Sequence, residues 1–98
     1  MKYNLNDFVT EIDALFSEVE QELVSRMKGI EGDGTIEQLV LIINEMKQIR
    51  NLAASNKLPP IGERYTAFTW YIVDSWNNDS ILGERLCELA NKYRKKLD

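Results

Sequence analysis

Apolar residues recur at steps of three and four along most of this 98-residue chain, and each run with that spacing stops at a segment that cannot stay helical. A chain patterned this way buries one stripe of each helix against the others. The first run, Leu5, Phe8, Val9, Ile12, Leu15, Phe16, Val19, Leu23 and Met27, predicts a helix over about 6–27. Asn4 or Asn6 can cap it, Asp7 suits the positive end of its dipole, and Arg26 and Lys28 suit the negative end. Glu11, Glu18 and Glu22 fall on its outward side. Three glycines within 29–34 then break the pattern.

Thr35 followed by Gln38 has the form of a capping box and opens a second helix, along which Ile36, Leu39, Val40, Ile42, Ile43, Met46, Ile49 and Leu52 form a wide apolar arc. Such an arc suits two neighbours, with Glu45, Lys47 and Arg50 on the wetter side. The helix should stop short of Asn56, because Pro59-Pro60 removes backbone donors and forces the residue before each proline into an extended form.

A third helix is predicted over about 63–76, with Tyr65, Phe68, Ile72 and Trp76 in one core-facing arc and Val73 at its edge. Ala67, Trp70, Tyr71 and Asp74 fall on the opposite side, which is either sandwiched between neighbours or a binding surface. The β-branched and aromatic residues of 66–73 also permit a strand, but a lone strand among helices has nothing to pair with. Asn77-Asn78-Asp79-Ser80 forms a turn in which Asp79 or Ser80 caps a fourth helix. That helix carries Leu82, Leu86, Leu89, Ala90, Tyr93 and Leu97 at helical spacing, with Glu84 in its first turn and Lys92, Arg94, Lys95 and Lys96 at its negative end. The expected fold is therefore all-α, a four-helix and mostly antiparallel bundle forming a single domain over 1–98, with the third helix central.

The chemical inventory excludes much. There is no histidine, and Cys87 is the only cysteine, placed among apolar positions as a packing thiol. An internal disulfide, the usual zinc sites and histidine-based acid–base catalysis are thereby unavailable. No cofactor is expected and no catalytic residue is assigned. Glu18/Glu22 and Glu84/Glu88 are spaced as helical magnesium ligands are in nucleotide hydrolases, but they equally read as ordinary solvated pairs. Gly29, Gly32 and Gly34 lack the Lys-Ser/Thr that a phosphate loop needs.

Partners are narrowed by charge. Residues 1–37 hold nine acids and three bases, a balance of −6, whereas residues 38–98 hold seven acids and nine bases, a balance of +2. An acidic first third disfavours nucleic acid and favours a basic protein surface, although a solvated acidic face often means only solubility. The basic run at the end of the fourth helix suits its dipole. Without a membrane-spanning stretch or a signal-peptide core, a cytoplasmic protein with no membrane partner is expected.

The run Met46-Lys47-Gln48-Ile49-Arg50-Asn51-Leu52, then a loop, then Arg64-Tyr65-Thr66-Ala67-Phe68-Thr69-Trp70-Tyr71-Ile72-Val73-Asp74-Ser75-Trp76 and Asp79 resembles a small helical bacterial immunity family over about residues 36–93. Its known members neutralise NAD-degrading effectors delivered between bacteria by type VI secretion. The resemblance implies a toxin inhibitor that works by covering an active site with acidic and aromatic side chains. Trp70, Tyr71 and Asp74 are then the first candidates for the partner surface, with Glu11, Glu18 and Glu22 as steering charges. Two other readings stay open: a helical adaptor or homodimerisation module, and a magnesium-dependent nucleotide hydrolase.

Overall fold

The computed structural model describes residues 3–95 and Leu97; Lys96, in the predicted basic run, lies outside them. Four helices form: α1 Leu5–Met27, α2 Ile36–Ala54, α3 Phe68–Ser75 and α4 Ile81–Lys95, with a single 3-10 turn, Ile61–Glu63, between α2 and α3. No strand occurs among the described residues, and none of their helices is long and apolar enough to cross a membrane.

Local signals set most of the ends. Asn4 and Asp7 form a reciprocal capping box at α1, and Thr35 and Gln38 form a second one at α2. Both helices finish in the same way, with a left-handed residue after the cap: Gly29 at φ 80° and Asn56 at φ 56°. The Ile30 amide reaches back to the Ser25 carbonyl, and the Lys57 amide to that of Leu52, so the last carbonyls are satisfied within each end. Ser80 caps α4, accepting from the Gly83 amide at 2.9 Å.

The helices pack in a ring. α1 lies against α2 and α4, α3 lies against α2 and α4, and neither diagonal pair approaches. Polar pairs give the directions: Glu11 meets Lys92 and Glu18 meets Arg85, so seven residues up α1 match seven residues down α4. Similarly Gln38 reaches Ser75 while Glu45 reaches Phe68, which makes α2 and α3 antiparallel. This is the expected bundle with one correction. α3 is not central; it is the shortest side of the ring and stays away from α1.

Phe8, Ile12, Leu15 and Val19 of α1, Leu39, Ile42, Met46 and Ile49 of α2, and Leu86, Leu89 and Tyr93 of α4 fill the core. Phe8 and Tyr93 stack with ring centroids 5.8 Å apart. Cys87 is half-buried and packs against this cluster, as a packing thiol should.

α3 departs most from its sequence pattern. Helix was predicted over 63–76, yet it begins at Phe68. The carboxylate of Glu45, on α2, accepts from the Ala67 amide at 2.8 Å and from the Phe68 amide at 2.7 Å. In a longer helix those two amides would donate to the carbonyls of Glu63 and Arg64, so the side chain takes the bonds that an earlier start would need. Glu45 is therefore half-buried and capping a neighbouring helix, where the wetter side of α2 had been expected. Off the helix, Tyr65 leaves the core arc and is 66% exposed, while Phe68, Ile72 and Trp76 are buried as predicted.

Arg64 is only 8% exposed. Its guanidinium donates to the carbonyls of Pro59 at 2.8 Å, Tyr93 at 2.8 Å and Leu97 at 2.5 Å, and it sits 5.6 Å over the Tyr93 ring. The basic residue that closes the last turn of α4 thus comes from the α2–α3 connection. At the other end of the bundle the Trp76 indole lies against Gly34, where a Cβ would fall 2.8 Å from the ring and φ is +75°. The indole N–H donates to Gln38 Oε1 at 3.1 Å, and the Ser80 hydroxyl donates to Asp33 at 2.8 Å. Both loops at that end are held together by these contacts.

Replacing Glu45 by Ala is expected to cost about 2–3 kcal/mol, because it strands two amides at the start of α3. Native-state hydrogen exchange should speed up first at 67–72 while α1 keeps its protection; equal loss in all four helices would rule out a local capping role. A second expectation concerns alkali. Burial, first of all, holds the Tyr3 and Tyr93 phenols above their ordinary value, with Glu11 adding to it at Tyr3; at Tyr93 nearby Arg64 partly opposes it. The fold keeps them protonated where the unfolded chain would release protons, so stability is intact below the unfolded phenol value and falls as pH rises past about 10. With no histidine to titrate, melting temperature should be flat between about pH 6 and 8.5 and fall steeply above about pH 10. An unchanged melting temperature at pH 11 (roughly a unit above the free phenol value) would contradict this.

Candidate functional site

α3 buries Phe68 and Ile72 and leaves its other side bare. Trp70 is 65% exposed and Val73 75%, with Asp74 exposed one turn on from Trp70. Bulky apolar groups on an eight-residue helix are normally covered; here they form one wall of an open groove between α3 and α4. The groove has a volume of about 380 Å³. Tyr65, Trp70 and Val73 make its apolar wall, Thr66 and Thr69 supply hydroxyls, and α4 contributes Cys87, Asn91 and Arg94. A smaller depression of about 250 Å³ continues past Val73 and Cys87 toward Asn77, Asn78 and Glu84.

The groove is made by how α3 is held. The Thr66 and Thr69 hydroxyls lie 3.3 Å apart, and Thr66 is fully buried beneath the rim. Tyr65 comes off the extended segment that Arg64 anchors, so it stands beside Trp70 and closes that end. Burial raises the pKa of the Cys87 thiol, a shift that the nearby Arg94 charge partly opposes. At neutral pH it is a neutral group of the groove, not a nucleophile.

The six predicted partner residues do not come together. Trp70 lies in the groove wall, and Asp74 is exposed on the same outer side of α3. Tyr71 is half-buried and packs against the core. The three α1 acids are already engaged with bases: Glu11 with Lys92 at 2.9 Å, Glu18 with Arg85 at 2.5 Å, and Glu22 with Arg26. Glu11 also accepts from the Tyr3 hydroxyl. Arg26 further donates to the carbonyls of Ile30 and Asp33, so the Glu22 pair helps to shape the glycine loop. The predicted outward acids are bundle-side partners of basic residues, of modest energetic weight because they are partly exposed.

Of the two spacings considered for magnesium, Glu84 and Glu88 are both exposed on α4, and Glu18 and Glu22 are ion-paired on α1. Glu18 and Glu22 turn to different bases, and no group of three or more acidic or thiol side chains able to hold a metal occurs among the described residues. Sequence reasoning missed Tyr65, Val73 and Arg94 as groove residues. Tyr65 and Val73 had been placed with the core, and Arg94 had been read as a helix-dipole charge. Nothing in one helical period shows that α3 starts late, which hid Tyr65; Val73 and Arg94 join the groove only through the packing of α3 beside α4.

A second apolar region lies within two turns of the α1–α2 loop, where Val24, Met27, Ile30, Ile36, Val40 and Leu41 are all exposed. Met27, Ile36 and Val40 had been expected in core-facing stripes. α3 does reach this end of α2, through Ser75 and Trp76 at Gln38, so the exposure of Ile36 and Val40 comes from the side of the helix they occupy and not from the length of α3. No protein-family model matches this chain, and neither curated proteins nor solved structures show a detectable similarity to it.

Proposed function

We propose that this protein is a non-catalytic protein-binding module that engages its partner through the α3–α4 groove. The observation that carries the reading is the aromatic wall: Trp70, on a helix whose position is fixed from α2, and Tyr65, on the segment before it, stand largely exposed beside the buried Thr66 and half-buried Thr69. Rigid aromatic side chains beside a groove are the usual anchors of protein interfaces, since they gain large contact area with little loss of conformational freedom. The immunity-type inhibitor implied by the sequence resemblance is the specific form of this proposal, with the groove face covering the active site of a bacterial toxin.

A further reading has its own support. The exposed apolar residues around the α1–α2 loop suit self-association, and the chain's 6388 Å² of accessible surface exceeds the roughly 5,800 Å² of a compact monomer of its mass. Sedimentation at micromolar concentration should then show a dimer that Met27→Glu and Val40→Glu dissociate, while Trp70→Ala leaves it intact. A monomer at every concentration would dispose of this reading.

The groove is tested by co-purification from the native cell, comparing wild type with Trp70→Ala/Val73→Ser. Both side chains are mostly solvent-exposed, so the double variant should melt within a few degrees of wild type, roughly what a change under 1 kcal/mol gives. One protein should be retained by wild type in stoichiometric amount and lost from the variant. If it is a toxin, its activity should fall linearly to zero as the two reach equal concentrations. Equal retention by both forms would remove the groove as the binding surface.

A further inference from the structure

The groove carries a charge opposite to that of the chain as a whole. The protein has a net charge of −4, yet the only formal charge lining the groove among the described residues is Arg94, with exposed Lys95 next to it. Two acids lie near the groove without lining it: Asp74, exposed one turn on from Trp70 on the outer side of α3, and Glu84, in the adjoining depression nearly three turns back along α4 from Arg94, about 15 Å away.

Among the described residues Arg94 is also little used by the fold. The carbonyls of Tyr93 and Leu97 near the end of α4 are taken by Arg64. Lys92, two residues before Arg94, is committed to Glu11. Arg94 donates from one terminal nitrogen to Asn91 Oδ1 at 2.8 Å, and its Nε is buried with no hydrogen-bond partner among the described residues. A guanidinium has five N–H donors in a planar fork and no way to lose its charge; with Nε shut off from solvent and one terminal nitrogen bonded to Asn91, it is the remaining terminal N–H groups of Arg94, beside an apolar wall, that suit a carboxylate. The acids that would have attracted a basic partner, Glu11, Glu18 and Glu22, are neutralised in pairs on the α1 side.

We infer that the occupant of the groove is an acidic, apolar segment of a partner protein, with a carboxylate on Arg94 and an adjacent aromatic or aliphatic side chain against Trp70, Tyr65 and Val73. This rests on the groove being the binding surface proposed above. It reverses the partner polarity that the acidic first third of the sequence implies.

The test selects a displayed library of random linear peptides on the full chain and keeps those whose binding is lost on Trp70→Ala. The retained peptides should carry Asp or Glu beside apolar residues. Their affinity should fall about tenfold or more on Arg94→Gln, recover in part on Arg94→Lys, and weaken with added salt on the wild-type protein, a readout that needs no variant. In the wild type the Arg94 Nε–H resonance should shift on binding. If the retained peptides are basic or neutral and indifferent to salt and to Arg94→Gln, the acidic partner is overturned while the groove survives. If no selected peptide depends on Trp70, the groove reading fails and takes this inference with it.

Discussion

A buried guanidinium organises the half of this bundle that carries the candidate site. Burying a charge is unfavourable unless its donors are satisfied, and Arg64 meets that condition only where three carbonyls converge: that of the first proline, Pro59, one in the last turn of α4 and one beyond it. To reach them its own backbone must be extended, at φ −82° and ψ 120°. That requirement, together with Glu45 taking the Ala67 and Phe68 amides, keeps the segment before α3 out of helix, brings the chain across the end of α4, and leaves Tyr65 exposed in the groove wall with Trp70. The Arg64, Tyr93 and Phe8 side chains then stack from the connection through α4 to α1, so the surface segment is coupled to the central core.

How far the sequence discloses this depends on the range of the interactions involved. α1, α2 and α4 were legible because their apolar period, capping boxes and left-handed ends all lie within a few residues of one another. α3 was legible as a helix but not in its extent. Its first two amides bond to Glu45, more than twenty positions earlier, and a helical wheel cannot register such a competitor. The same limit applies to the acids. Glu11 and Glu18 look solvated on α1 alone, and only the antiparallel register with α4 places Lys92 and Arg85 opposite them.

The aromatic helix divides along the same line. Phe68, Ile72 and Trp76 follow the wheel and do fold work, with Trp76 wedged on Gly34 and bonded to Gln38. Trp70 and Asp74 follow it too, on the outer side. Arg64, Phe68 and Trp76 are prominent in the stretch that resembles the immunity family, and in this structure each is committed to packing or capping. Whatever recognition the protein performs must therefore rest on the residues left over, which are fewer and include Tyr65 and Val73, both assigned to the core by periodicity.

An eight-residue helix would be marginal by itself, so α3 persists only through its attachments. Those attachments are nearly all made by other elements: Glu45 holds its first turn, Gln38 and Gly34 receive Trp76 at its end, and Ser80 ties the following turn to Asp33. The outward side chains contribute little to that support. Folding and the proposed recognition are thus separated on one short helix, with inner residues and α2 setting its position while Trp70 and Val73 remain free to vary. Because α3 is clamped at both ends, the groove is formed before any partner arrives. The ordering cost that weakens binding by flexible segments has then already been met in folding.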